Sequence, residues 1–409
     1  MKTFLIRLAL ICLATFVLVE LILWAFFRQG REPVISETFR QDVTGLKPSV
    51  TYEKNGLGLR SLSLDRATKP EGAIRIVCLG LSTTEQATQE TADTWSGILE
   101  TRLRETFADR PGGPVEIQVG AYAKGGYKMH EMMRWARLHL LELEPDIVVT
   151  LFGINSLVTD QGFLKGGVTK SWYEIYLTGN EPLWPERMTA FSQTARHWRA
   201  ISESSDRRAY AKQTDGYNFD LRGLAGRAAY WKLPLAADFG DDPKRTSLFR
   251  GRTEILLDWL QENEVRPVVL AQPLLVHDGM NYQQSGDQVT FDDPYRLPEE
   301  INAAMQQLQA IWFPVNTGEK VVRLLPGDLR REMTRFNEAQ RLIAEERGAA
   351  YVPLDELIPT DLDHFFDDCH FTDLGSERVA DAIFPTLRAE VERVLAERAQ
   401  AQAQAQVQE

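Results

Sequence analysis

The run Ile74–Gly80, IRIVCLG, leads directly into Leu81-Ser82-Thr83-Thr84 and constrains this chain more than any other stretch. A short, nearly unbroken apolar run reads as a strand buried on both faces, the habit of a parallel sheet with helices above and below it. Similar runs recur in alternation with helix-like stretches. DTWSGILETRLRETF is followed by VEIQVG, YKMHEMMRWARLHLLELE by DIVVTLFG, and much later come PVVLAQP and AAYVPL. Such alternation builds βαβ units, so the expected fold class is α/β with an open parallel sheet.

With 409 residues and 44% hydrophobic content the chain can build a substantial core. The net charge of -12 and pI near 5.2 repel polyanions, which excludes an electrostatic grip on nucleic acid. LGLST lacks the glycine and lysine pattern of a phosphate loop, and there is no G-x-S-x-G elbow. DLDHFFDDCH has neither a paired-histidine helix nor a calcium-loop spacing. No metal and no cofactor are therefore expected.

The N-terminal run Leu8–Phe27 is apolar and long enough to cross a bilayer as a helix, and no small-residue cleavage pattern follows it. Residues 1–30 are read as an uncleaved signal anchor. Lys2 and Arg7 precede the span while Arg28 and Arg31 follow it, a balance that weakly favours a cytoplasmic N-terminus. This predicts a single-pass protein of the cytoplasmic (inner) membrane, with its bulk periplasmic or extracellular. Glu20 inside the span costs about 2.5–3.5 kcal/mol if ionised, unless it is protonated, paired or tilted to the interface.

Residues 31–70 read as a juxtamembrane stalk and lead-in segment, 71–397 as the main domain, and 398–409 as a low-complexity, frayed helical tail. A mostly helical insertion over about 157–244 interrupts the main domain. Its aromatics Trp172, Tyr173, Tyr176, Trp184, Trp198 and Trp231 form either a lid or sugar-stacking surface, or a packing layer. Of three cysteines, Cys12 lies in the span. Cys78 and Cys369 are either a disulfide near the site or two buried apolar residues.

Ligands of an open parallel sheet bind beyond the carboxyl ends of its strands. Three polar clusters follow such ends: Gly80-Leu81-Ser82-Thr83-Thr84, Gly125-Gly126-Tyr127 and Gly153-Ile154-Asn155-Ser156. A fourth, Asp367 to Gly375, stands before a final helix starting near Asp373. A carboxylate three residues before an imidazole can share its turn, accept from Nδ1 and leave Nε2 free to take a hydroxyl proton. Asp367 has that offset from His370; Asp368 does not. Ser82 would then be a nucleophile, with His370 as general base and acid and Asp367 as its orienting partner. The alternative for Ser82 is a helix N-cap. The Ser82 N–H, a glycine N–H from Gly125 or Gly126 and the Asn155 side-chain amide form a candidate oxyanion hole.

These blocks resemble the SGNH or GDSL-type hydrolase superfamily, in its membrane-anchored bacterial form. GLSTT with its strand, PDIVVTLFGIN and DDCHFTDLGSERVADAI carry the resemblance, and NGLGLR at Asn55–Arg60 is similar to the lead-in of anchored members. It implies a flavodoxin-like three-layer α/β/α sandwich, with Ser82, Asn155, Asp367 and His370 at the family's site positions. It also implies a serine esterase or acylhydrolase acting through an acyl-enzyme on a small-molecule or polysaccharide ester, including O-deacetylation of a polysaccharide. An O-acetyltransferase acting on an envelope glycan, or a non-catalytic glycan-binding or assembly protein, are the alternatives. The chain departs from the pattern at Leu81, at Ser156 and in the second block. There VGAYAKGGYK lacks the usual asparagine, and one register puts Ala123 at the oxyanion glycine position.

Overall fold

The computed structural model describes residues 7, 11, 13–22, 35–40, 49–55, 58–63, 69–110, 113–125, 127, 129–159, 243–275, 281–285, 288–292, 315–316, 321–322, 326–361, 363–366 and 369–408. Nearly all of the 157–244 insertion lies outside them, as do Gly126, Asp367, Asp368 and Cys12. So does much of the Leu8–Phe27 span. Within that span, 13–22 is helical with its apolar side chains largely exposed. Among the described residues no helix is long and apolar enough to cross a membrane.

The parallel strands are β4 (Ile74–Gly80), β5 (Ile117–Ala123), β6 (Ile147–Leu151), β7 (Arg266–Leu270) and β8 (Ala350–Val352). Before them come β1 (Ile35–Arg40), β2 (Ser49–Lys54) and β3 (Arg60–Ser61). The six-stranded sheet runs β8-β7-β6-β4-β5-β3, every neighbouring pair parallel except β3 with β5. Numbering only the parallel strands by chain order gives 2-1-3-4-5, the flavodoxin-like order. That matches the expected fold class.

Helices cover both faces, which is why the central strands are apolar throughout. On one side α2 (Trp95–Ala108) packs on β5 and on the long α8 (Asp373–Gln408), which reaches β8. On the other, α5 (Pro243–Glu262) and α6 (Pro326–Glu346) pack together over β7, and α3 (Met129–Trp135) covers β4. Every residue of β4 is buried. Its one charge, Arg75, is satisfied within the core: Nε and Nη2 donate to Gln118 Oε1 at 3.0 and 2.8 Å, and Nη1 donates to the Leu143 carbonyl at 2.5 Å. The start of α2 is set by Thr94, whose hydroxyl oxygen accepts from the Gly97 N–H at 3.1 Å.

Two expectations change and one open alternative closes. The tail is a regular continuation of α8 to Gln408, because alternating alanine and glutamine keep high helix propensity. The lead-in segment is no loose stalk. β1 and β2 form an antiparallel hairpin, and β3 joins the main sheet as its antiparallel edge, so the domain extends upstream of residue 71. Cys78 and Cys369 are both buried free thiols, which removes the disulfide alternative.

The lead-in also holds a buried acid. Glu100 on α2 accepts from the Leu62 N–H at 3.1 Å, the Val119 N–H at 3.4 Å and the Ser63 hydroxyl. Burial pushes its carboxyl above the ordinary 4.5, partly offset by those hydrogen bonds and by Arg104. The folded state therefore binds a proton more tightly than the unfolded chain, and stability is lost as pH rises through the window above 4.5. Glu100→Gln removes this loss. In thermal melts across that window, the Tm of the variant minus that of the wild type should become more positive as pH rises.

Candidate active site

The register levels the strand ends: Gly80 pairs with Ala123 of β5 and with Leu151 of β6. The three loops that follow leave the sheet side by side. They leave beside β4, where the strand order reverses and where open α/β sheets form their ligand crevice.

The first loop is tight by necessity. A Cβ on Gly80 would stand 1.9 Å from Thr84 Oγ1, so only glycine lets β4 turn at once into α1 (Ser82–Glu85). Leu81 is the N-cap of this helix and provides no side-chain capping bond. Ser82 is the first helical residue, half-buried, and among the described residues its hydroxyl makes no hydrogen bond. The capping alternative for Ser82 is thereby removed. Its N–H lies in the first turn, where no intrahelical carbonyl can serve it.

The far end of α1 is held by groups that the sequence reading missed. Gln86 adopts a left-handed conformation with φ of 46°, uncommon for a residue with a Cβ, and its N–H donates to the Ser82 carbonyl at 2.9 Å. Its side chain accepts from the Trp95 N–H at 2.7 Å and donates to Gln89 and to Ser376 of α8. Arg60 Nη1 donates to the carbonyls of Glu85 and Gln86 at 2.8 and 2.9 Å, Nη2 donates to that of Gln89, and the guanidinium lies 4.1 Å over the Tyr52 ring.

The second loop reaches Ser82 through Gly125. A Cβ there would stand 3.6 Å from Ser82 Cβ and 3.1 Å from Glu85 Oε2. The Gly125 N–H, a candidate oxyanion donor, instead donates to Glu85 Oε2 at 2.5 Å. The other oxygen of Glu85 accepts from Lys54 Nζ at 2.5 Å and from the Tyr52 hydroxyl at 3.3 Å. In the third loop, Asn155 on α4 (Ile154–Thr159) is nearly buried and donates from Nδ2 to the Tyr127 carbonyl at 2.9 Å, tying that loop to the second. A Cβ on Gly153 would meet Gln272 Cβ at 2.8 Å and Met333 Sδ at 2.9 Å, so the close approach of α6 requires glycine.

His370 sits on a closed loop. Phe365 bridges Phe371, the Phe366 N–H donates to the His370 carbonyl at 3.0 Å, and the Thr372 N–H donates to the His364 carbonyl at 3.0 Å. The imidazole is half-buried, stacked on Phe366 with centroids 5.7 Å apart, and its Nδ1 lies 3.6 Å from Cys369 Sγ. The loop is joined to the first one by the Gln86 and Gln89 bonds to Ser376. Asp367 and Asp368 lie outside the described residues. An earlier D-x-x-H at Asp361–His364 shows what the spacing does: His364 Nδ1 is 2.6 Å from Asp361 Oδ1, which also accepts the His364 and Asp363 N–H groups at 3.1 Å. The sequence reading passed over this pair although its spacing is the same. Among the described residues no cluster of three or more acidic, histidine or cysteine side chains is placed to hold a metal.

The His370 loop depends on Gly375, where a Cβ would stand 1.9 Å from the His364 carbonyl oxygen, a backbone atom with little freedom to move. Gly375→Ala should cost about 1–3 kcal/mol in urea unfolding. Gly251→Ala, in the middle of α5 with nothing within 4 Å of the new methyl, should instead gain about 0.5–1 kcal/mol.

No family model matches the sequence, and no curated protein matches it. Among solved structures, the chain is similar to an α/β hydrolase enzyme from the metagenome of Lake Arreo, Spain, at 12% identity and a TM-score of 0.38, over 76% of this chain and 95% of that one. It is also similar to a catalytic mutant of an acetylxylan esterase from Geobacillus stearothermophilus, at 10% identity and a TM-score of 0.39, over 78% and 95% of the two chains. A GDSL-like lipase from Bacteroides thetaiotaomicron aligns at 10% identity and a TM-score of 0.34, over 77% and 88%.

Proposed function

We propose that the chain is a serine ester hydrolase of the SGNH or GDSL type, removing O-acyl groups through an acyl-enzyme. The observation that carries this reading is Ser82. The residue is half-buried, its hydroxyl makes no hydrogen bond among the described residues, and it stands at the carboxyl end of the strand where the sheet order reverses, with Gly125 beside it. A serine there contributes nothing to capping or to the core, and is positioned to attack a bound carbonyl.

In this reading His370 takes the Ser82 proton as the acyl carbon is attacked and returns it to the leaving alcohol. Water, deprotonated by the same imidazole, then attacks the acyl-enzyme and regenerates the serine. Asp367 orients the imidazole, with the spacing that Asp361 and His364 realise in the same run. The Ser82 N–H and the Asn155 amide receive the oxyanion, with Gly126 as the remaining glycine of the second loop. The substrate class is an O-acylated small molecule or polysaccharide.

Ser82→Ala should abolish hydrolysis of p-nitrophenyl acetate and covalent labelling by a fluorophosphonate while leaving the circular dichroism spectrum unchanged. Asp367→Asn should lower kcat/KM by about 10⁴-fold, by analogy with triads in which the acid fixes the imidazole tautomer. Asp368→Asn should change it little, and a larger loss at Asp368 would overturn the assignment.

We also propose that Leu8–Phe27 anchors the chain in the cytoplasmic membrane and leaves the domain on the outer side. The apolar run and the two basic residues ahead of it support this. Protease added to intact spheroplasts should digest the domain; protection until lysis would reverse the topology.

A further inference from the structure

We propose that Glu85 is a positioning residue that sets the second loop against Ser82, and that the lead-in strand β2 completes the site by neutralising it. The proposal rests on the reading of Ser82 as nucleophile. Glu85 ends the single helical turn that Ser82 begins, and its carboxylate is almost fully buried. One oxygen holds the Gly125 N–H at 2.5 Å; the other is held by Lys54 Nζ at 2.5 Å and by the Tyr52 hydroxyl. Lys54 is also buried, with 5% of its side chain exposed.

A buried carboxylate one turn from a nucleophile would oppose the negative charge that develops in acyl transfer. Lys54 places a positive charge on the side of Glu85 away from Gly125, so the pair presents no net charge to the site. The Gly125 amide is thereby used as an anchor and not as an oxyanion donor. Because Gly125 lacks a Cβ, its backbone approaches both Ser82 and Glu85, and the anchor fixes the gap into which an acyl group enters. Arg60 acts in the same direction from β3 by holding the carbonyls of Glu85 and Gln86. Strands β2 and β3, ahead of the parallel strands, are therefore part of the site's framework.

Glu85→Ala alone would take the Glu85 carboxylate away from the buried Lys54 ammonium and endanger folding. The test therefore compares two neutral double variants of the detergent-solubilised full chain, Lys54→Met with Glu85→Gln and Lys54→Met with Glu85→Leu. Glutamine keeps an oxygen for the Gly125 N–H; leucine of similar size does not. Hydrogen exchange at Gly125 should be slow in the glutamine variant and fast in the leucine variant. The leucine variant should lose about 10²-fold in kcat with KM little changed, as expected for a displaced loop, and the glutamine variant should recover most of that loss. Equal Gly125 exchange in the two variants, or equal kcat, overturns the proposal. If wild-type hydrolysis persists in Ser82→Ala, the nucleophile reading fails separately, and the exchange comparison alone then decides the anchor.

Discussion

The structure depends on β4 being hydrogen-bonded on both edges and covered on both faces. Paired in register with β5 on one side and β6 on the other, the strand has no freedom to slide, since a slip of one residue would turn its apolar side chains to the wrong face. Its carboxyl end therefore comes out at a fixed height beside the ends of its neighbours. The nucleophile candidate is placed by a strand whose every residue is buried and presented on the tight turn at Gly80.

Partly or fully buried charges stand at both ends of that strand, and each is met by several partners. At the amino end Asp146 accepts from the Arg75 N–H at 2.8 Å, from Lys69 at 2.5 Å and from Arg398 of α8 at 2.5 Å, locking the last helix to the base of the sheet. Burial pulls the Lys69 ammonium below its ordinary value, with the Asp146 hydrogen bond and charge acting against that shift. At the carboxyl end Glu85 and Lys54 form the corresponding pair. These pairs join segments far apart in the chain, and through them the hairpin ahead of the sheet and the helix that ends the chain become parts of one body.

The strand runs, the α/β class and the three loops at the carboxyl edge were legible because each rests on local pattern. Burial on both faces writes an apolar run, and Gly80 and Gly153 mark turns that no Cβ permits. The integration of 49–61 was not legible. β2 alternates buried and exposed residues, and Lys54 and Arg60 look like surface charges until their partners are known. The D-x-x-H spacing was read once and occurs twice, since spacing tells which carboxylate can reach an imidazole but not which turn the chain will close.

What this amino-acid sequence determined by itself is the order of the parallel strands and their helices, and the placing of Ser82, Asn155 and His370 just past strand ends or just before a helix. Those follow from periodicity, propensity and steric exclusion, which act over a few residues. Only the tertiary structure decided that Leu81 and not Ser82 caps α1, that Cys78 and Cys369 stay unlinked, and that the Gly125 amide goes to Glu85. The last two are choices among partners distant in sequence, made by which groups the folded sheet leaves within reach and away from water, and the first follows from how β4 turns into α1 at Gly80.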